Sequence, residues 1–280
     1  MTKAKDIAQE LGDLTPDSLS VQEEIARLNK KSIVPLEHIK DLHNWLDEKR
    51  KARQSCRLVG ESRTGKTFAC EAYTFRNKPK QEGNQAPTVP VVYIMPPPKC
   101  GAKEFFKEII ESLKYRAVKG VVSDFRGRAK EVLAGCQVEM LIIDEADRLK
   151  PDTFPEVRDI SDLGITVVLV GTDRLNTVMR RDEQVYNRFR ACRLFGRLTG
   201  EDFKKTVEIW EDKVLRLPVA SNLNNKGMLD ILFKATNGYI GRLDEILREA
   251  AIKSLSRGFK KVEKRVLQEV AREYSIHDKK

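Results

Sequence analysis

Two stretches of this 280-residue chain set residue types at spacings that could do phosphate chemistry. Residues 60–67, GESRTGKT, match Gly-x-x-x-x-Gly-Lys-Thr and stand between the apolar run CRLV and the helix-forming TFACEAYTFRNK. In a strand–turn–helix of this kind, small residues let backbone N–H groups wrap phosphates and the helix aims its N-terminus at them. Gly60, Glu61, Ser62, Arg63, Thr64 and Gly65 are therefore expected to cradle ATP, with Lys66 on its β- and γ-phosphates and the Thr67 hydroxyl on Mg²⁺. Residues 140–147, MLIIDEAD, supply the acid that such a loop needs. Met140 to Ile143 would bury a strand and deliver Asp144 to its C-terminal end, where ligands bind in open α/β sheets. Asp144 is expected to hold Mg²⁺ through water, and Glu145 to polarise an attacking water as general base.

Positioning these groups takes a sheet. Short apolar runs recur at 56–60 (CRLVG), 89–94 (VPVVYI), 138–144 (VEMLIID), 165–171 (ITVVLVG) and 192–198 (CRLFGRL), most of them separated by helical patterns. Such continuous runs fit strands buried on both faces of a doubly wound parallel sheet. Upstream, DSLSVQEEIARLNK (17–30) reads as a helix, and PLEHIKDLHNWLDEKRKAR (35–53) as another with Leu36, Ile39, Leu42, Trp45 and Leu46 on one face. After Thr199 the strand signals stop and only helical stretches follow, from GEDFKKTVEIWEDKVLRL to KKVEKRVLQEVAREY. The expected organisation is N-terminal helices over 1–54, an α/β domain over 55–198 and a small helical lid over 199–280.

Composition narrows the class. With 40% hydrophobic and 34% charged residues, the chain has enough apolar mass to fold, which excludes wholesale disorder. It offers no run of about 18 apolar residues, and its start, MTKAKDIAQELGDL, lacks the apolar core of a signal peptide. A cytoplasmic protein without a membrane partner is expected. Five scattered cysteines without a CxxC pair, and three histidines, argue against a disulfide framework or a zinc site. The net charge of +10, partly clustered at 48–53 and 253–265, favours a polyanionic partner through counterion release, against the alternative of solvated helix faces.

Asp-Glu-Ala-Asp can also spell a helicase motif, but a helicase needs a second motor domain to supply arginines across a cleft, and beyond residue 198 only helices are expected. The strand TVVLVG instead ends at Thr172, which would stand between the carboxylates and the γ-phosphate like the first sensor of an AAA+ ATPase, or simply cap the next helix. In NRFRACRLF (187–195), Arg188 and Arg190 precede the last strand, where AAA+ proteins project an arginine finger into the next subunit's ATP; Arg188 is preferred. In GYIGRLDEILREAA (238–251), Arg242 opens a lid helix as a second sensor does. Within SIVPL (32–36), Ile33 and Val34 would contact adenine. The fold class expected is α/β, an AAA+ P-loop NTPase with a parallel sheet core and a small C-terminal helical lid.

With those residues in place, the chain resembles the AAA+ transposition regulators called TnsC, in the compact form carried by CRISPR-associated transposons of type V-K. The likeness runs through KSIVPL, VGESRTGKT, VEMLIIDEADRLK, VVLVGTDRL, RDEQV and GYIGRLDEILREAA. More distantly, the chain is similar to the TniB and IstB ATPases of other mobile elements. The resemblance implies an ATP-dependent protein that assembles with itself, as a hexameric ring or helical filament, on double-stranded DNA. It further implies a link between the target selector TniQ, with its RNA-guided CRISPR effector, and the transposase TnsB, and disassembly on ATP hydrolysis. Larger TnsC proteins carry terminal extensions for partners that this chain all but lacks, so partner surfaces are expected on the core. In initiator-like AAA+ rings the segment PPPKCGAKEFFKEIIESLKYRAVKG (96–120) faces the central channel, which makes Lys99, Lys103 and Lys119 candidates for contacts to DNA phosphates; the rival reading is a solvated helix face. Two other functions compete: a loader or initiator ATPase acting on a replication protein, and a non-hydrolysing scaffold glued by ATP, against which the position of Glu145 argues.

Overall fold

The apolar runs form strands β1 (Cys56–Val59), β2 (Val91–Ile94), β3 (Met140–Ile143), β4 (Thr166–Gly171) and β5 (Ala191–Leu194) of one sheet in the computed structural model, which describes residues 16–30, 34, 36–81, 83, 86–117 and 119–275. All neighbouring strands pair parallel in the order β2-β3-β4-β1-β5. Every residue of β1, β3 and β4 is buried, because helices cover both faces of a parallel sheet, and this is why those strands read as unbroken apolar runs. The edge strand β5 differs: Cys192 and Leu194 are exposed, and the strand stops at Leu194, short of the run that continues to residue 198.

The strand order has a direct consequence. Because β4 lies between β1 and β3, the C-terminal ends of these three strands are consecutive along one edge of the sheet. The loop after β1, Thr172 after β4 and the carboxylates after β3 must share that edge.

The chain divides into two compact units, Pro35–Gly196 and Met1–Val34 with Arg197–Lys280. The α/β unit contains the sheet with helices α2 (Glu37–Lys51), α3 (Lys66–Arg76), α4 (Ala102–Ser112), α5 (Val122–Gly135), α6 (Phe154–Asp162), α7 (Asp173–Met179) and α8 (Glu183–Arg188). Helix α4 turns Phe105, Phe106, Ile109 and Ile110 into the core as one stripe at helical spacing. Helix α2 packs beside α3 through a neutral His43 whose Nε2–H donates to the Ala69 carbonyl (2.9 Å) and a Tyr73 hydroxyl that donates to Asp47 (2.7 Å).

The helical unit contains α1 (Pro16–Leu28), α9 (Gly200–Ile209), which runs into a π-helical turn at Trp210–Leu215, then α10 (Lys226–Thr236), α11 (Ile240–Ser256) and α12 (Lys264–Ser275). The helices expected as one N-terminal block over 1–54 are thus divided, with α1 grouped with the C-terminal helices and α2 with the sheet. The physical cause is carbonyl satisfaction at helix ends. Arg27 of α1 donates to the carbonyls of Val214 (2.9 Å) and Leu215, while Arg248 of α11 donates to those of Lys30 (3.0 Å) and Leu28. Each guanidinium answers C-terminal carbonyls that have no partner within their own helix. Among the described residues, no helix is long and apolar enough to cross a membrane.

Two outcomes test this packing. A Cβ at Gly60 would overlap the Phe195 backbone carbonyl across the β1–β5 junction. Gly60→Ala should therefore cost about 1–3 kcal/mol, seen as a lowered melting temperature; an unchanged melting curve contradicts the close approach. Burial lowers the pKa of His43 below its ordinary 6.5, outweighing the carbonyl bond that raises it. The folded state thus favours the neutral ring, so this contribution to stability is full above 6.5 and is lost as pH falls through the lower folded-state value. Chemical denaturation between about pH 7 and 5 should show a shallower loss of stability in His43→Leu than in the wild type, and parallel curves would contradict it.

Candidate functional site

The loop between β1 and α3 turns sharply. Arg63 (φ 65°) and Gly65 (φ 95°) both take left-handed backbone angles. Turns of that kind line a concavity with N–H groups suited to anions. Gly65 is also the N-cap of α3 and brings no side-chain acceptor, so the first N–H groups of the helix are left for an outside partner. The buried Thr64 hydroxyl staples the loop by donating to the Glu61 carbonyl (2.8 Å), whereas Glu61, Ser62 and Arg63 lie exposed.

Lys66 is 8% exposed, and its Nζ donates to the carbonyls of Gly60 (2.8 Å) and Glu61 (2.7 Å). Burial pushes its pKa below the ordinary lysine value, against the pull of Asp144 and then Glu145. The ammonium is therefore costly where it stands, with neutral carbonyls as hydrogen-bond partners. A phosphate oxygen would offer it a charged one.

Asp144 is buried at the end of β3. One carboxylate oxygen accepts the Glu145 N–H (2.8 Å) and the other accepts the Tyr93 hydroxyl (2.8 Å). Burial first, and the Asp144 charge next, drive the Tyr93 phenol far above its usual pKa, so it remains a hydrogen-bond donor. Sequence reading missed Tyr93: the run VPVVYI gives a strand, but only the β2–β3 register, with Tyr93 opposite Ile142, puts its hydroxyl on Asp144.

Glu145 takes a left-handed backbone (φ 50°, ψ 40°), a strained state for a residue with a side chain. The 3₁₀ turn Ala146–Arg148 holds it there, with the Arg148 N–H donating to the Glu145 carbonyl (2.9 Å) and the Arg148 guanidinium 3.8 Å from its carboxylate. At the end of β4, Thr172 occupies the N-cap position of α7 yet makes no side-chain cap bond, and its buried hydroxyl has no hydrogen-bond partner. The Gly60 N–H donates to the Gly171 carbonyl (3.2 Å), tying the phosphate-type loop to the residue before Thr172.

These positions bring Gly60 to Thr67, Asp144, Glu145 and Thr172 to one edge of the sheet. The oxygens of Thr67 and Asp144 suit Mg²⁺, which takes one or two protein oxygens and completes its shell with phosphates and water. Among the described residues, no group of three or more His, Cys, Asp or Glu side chains could hold a metal on its own.

The other candidates lie elsewhere. Pairing of Cys56 with Ala191 sets Arg190 at the start of β5, at the opposite end of β1 from the loop, about 13 Å of strand away. Arg188 closes α8 nearby and pairs with Asp162. Arg242 belongs to the helical unit, its guanidinium 5.2 Å from the Tyr239 ring centre. Val34 is buried, and Ile33 lies outside the described residues. Lys99 and Lys119 are exposed, while Lys103 spends its ammonium on the Gly120 carbonyl (2.9 Å) and the Phe125 ring (5.0 Å). This contact draws the first turn of α4 to the segment of Lys119. Lys150 joins them unannounced by the sequence, since the bridge between Cys100 and Leu149 brings its Nζ to 3.8 Å from where a Cβ on Gly101 would stand.

None of the curated proteins compared with this chain matches it. Several solved structures do. Cdc6p from Pyrobaculum aerophilum superposes with a TM-score of 0.69 at 18% identity, over 88% of this chain and 70% of that one. The Aeropyrum pernix ORC1 protein, solved in complex with DNA, gives 0.66 at 15% identity, over 89% and 69%. The Thermotoga maritima RuvB Holliday junction branch migration motor gives 0.54 at 12% identity, over 88% and 72%. At such identities the likeness shows the fold, an α/β AAA+ P-loop fold with a parallel five-stranded sheet. The family model described as "TniB: Bacterial TniB protein" matches residues 24–198, more than half of the 280 residues, and the chain therefore belongs to the TniB family.

Proposed function

We propose that this chain is a Mg²⁺-dependent ATPase of the TnsC kind, which assembles with itself on double-stranded DNA to regulate transposition and comes apart on hydrolysis. The observation that carries the reading is the convergence of Lys66, the Asp144–Glu145 pair and the unpartnered Thr172 hydroxyl at three consecutive strand ends. Membership of the TniB family and the motifs shared with TnsC support the role in transposition. In this role the chain would connect a TniQ target selector and its RNA-guided effector to the transposase TnsB.

The chemistry follows from the residues. On binding ATP, Lys66 would exchange the carbonyls of Gly60 and Glu61 for β- and γ-phosphate oxygens, and the free N–H groups at the start of α3 would cradle the rest. Thr67 and, through water, Asp144 would hold Mg²⁺, which would supply charge neutralisation to the phosphates. Glu145 takes a proton from water as the water oxygen bonds to the γ-phosphorus and the bond to the β–γ bridging oxygen breaks, ADP leaving with the electron pair.

Arg188 and Arg190 stand at the wrong end of the sheet to serve their own nucleotide, which favours a role on a neighbour's. The Arg188–Asp162 pair is roughly half exposed on both sides and is worth no more than about 1 kcal/mol, so a phosphate can displace the aspartate. Arg188 also borders an open pocket of about 660 Å³ with Arg53, Gln184 and Asn187, a polar surface of a size to receive part of a second protomer. Lys99, Lys103 and Lys119 would meet the DNA backbone. A loader or initiator ATPase is the second reading, favoured by the likeness to Cdc6p and ORC1. Co-purification of a replication protein in place of a transposase would decide for it.

Glu145→Gln should bind ATP and assemble on duplex DNA while hydrolysis falls by about 10²-fold or more, leaving the assembly trapped. A variant that cannot assemble would show that Glu145 is structural. Replacing Lys103 and Lys119 with Ala should weaken duplex binding and flatten the slope of log affinity against log salt by roughly 0.9 for each phosphate no longer neutralised, with ATP affinity kept; an unchanged slope removes these lysines from the interface.

A further inference from the structure

We propose that Asp147 is a further catalytic residue, which together with Thr172 holds the attacking water at the γ-phosphate. The inference rests on the hydrolytic reading above and adds to it a group that the reading does not use.

Asp147 lies in the 3₁₀ turn Ala146–Arg148, one turn beyond the strand that delivers Asp144. Its Oδ1 is buried and has no hydrogen-bond partner. A carboxylate oxygen so placed is costly, and native proteins keep such atoms where a ligand or a water completes them. Among the described residues, four buried side-chain polar atoms lack partners, and two of them, Asp147 Oδ1 and Thr172 Oγ1, follow the neighbouring strands β3 and β4. Gly171 shows how closely they approach: a Cβ there would lie 3.1 Å from Asp147 Oδ1, so the carboxylate rests against the residue that precedes Thr172. The absence of a side chain at Gly171 is what leaves room for it. Asp147 is also among the carboxylates whose charge reaches Lys66, which puts it within the field of the phosphate loop.

An ionised carboxylate can only accept a hydrogen bond, whereas a hydroxyl can donate one. Between them they match two of the four valences of a water molecule. The Thr172 O–H donates to one lone pair of the water, and one water hydrogen goes to Asp147 Oδ1. The other hydrogen points to Glu145, which takes it as a proton, and the remaining lone pair forms the bond to the γ-phosphorus. Every valence of the nucleophile is then assigned, and its orientation is set before the reaction begins. Thr172 is free to donate in this way because its hydroxyl does not cap α7.

The test is steady-state hydrolysis by the full chain with ATP, Mg²⁺ and duplex DNA. Asp147→Ala should lower kcat by about 10²-fold with KM for ATP changed less than about threefold. Asp147→Asn, which keeps an acceptor oxygen, should recover most of the rate. Gly171→Ala, which pushes on the same oxygen, should reproduce the kcat loss. The double variant Asp147→Ala with Thr172→Ala should be little slower than the worse single one, because both changes release the same water. An Asp147→Ala protein with wild-type kcat, losses that multiply in the double variant, or a fall in melting temperature and ATP affinity matching the fall in rate would each overturn the proposal. Should Asp147→Ala fail to fold, Asp147→Asn and Gly171→Ala carry the same comparison. The two readings fail differently: a wild-type chain that binds ATP and duplex DNA but does not hydrolyse the ATP sinks the hydrolytic reading itself, whereas a hydrolysing wild type beside an Asp147→Ala protein of equal kcat sinks only the role of Asp147.

Discussion

A buried ammonium within the field of the buried Asp144 carboxylate is the interaction on which the rest of this site turns. Lys66 begins helix α3, where the helix dipole is already positive, and its charged head is hydrogen-bonded to two neutral carbonyls of its own loop. Burial disfavours that charge, and the fields of Asp144 and Glu145 sustain it without neutralising the helix end. A site with this balance is short of negative charge at the loop and rich in it at the adjacent strand ends. A nucleotide's phosphates would answer the first condition and a divalent cation the second.

Everything that shapes the α/β unit serves to hold this balance. Strand β4 separates β1 from β3, so the loop that carries Lys66 and the carboxylates after β3 stand at strand ends flanking the one that carries Thr172. Full burial of β1, β3 and β4 anchors the strand ends that carry these groups, with Asp144 itself buried at the end of β3. Tyr93 and the Glu145 N–H orient the Asp144 carboxylate from behind, while the strained backbone of Glu145 turns its side chain off the line of the strand. Arg188 and Arg190 lie by the start of β5, at the opposite end of β1 from the loop.

How much of this could be read from sequence follows from how local each cause is. All five strands were readable as apolar runs, most plainly β1, β3 and β4, which are buried on both faces, and the strand–turn–helix around residues 60–67 was readable because its pattern is written in eight consecutive residues. The grouping of α1 was not, because it depends on Arg27 and Arg248 reaching helix-end carbonyls 187 to 220 residues away. Tyr93 and Lys150 escaped for the same reason, as each acquires its neighbour only through strand register or an isolated bridge. The contacts of Lys103 were equally out of reach, since the Gly120 carbonyl and the Phe125 ring meet it only in the folded chain. At Thr172 the sequence allowed a helix cap, a sensor or both, and the hydroxyl makes no cap bond.

The central claim is that Lys66 stands as the counter-charge of a bound triphosphate. Equilibrium titration of a fluorescent ATP analogue into the wild type and Lys66→Ala, under identical Mg²⁺, measures it directly. A charge-assisted bond worth about 1.5–3 kcal/mol corresponds to roughly 10- to 100-fold weaker binding by the variant. Equal affinities for the two proteins, both folded, would contradict it.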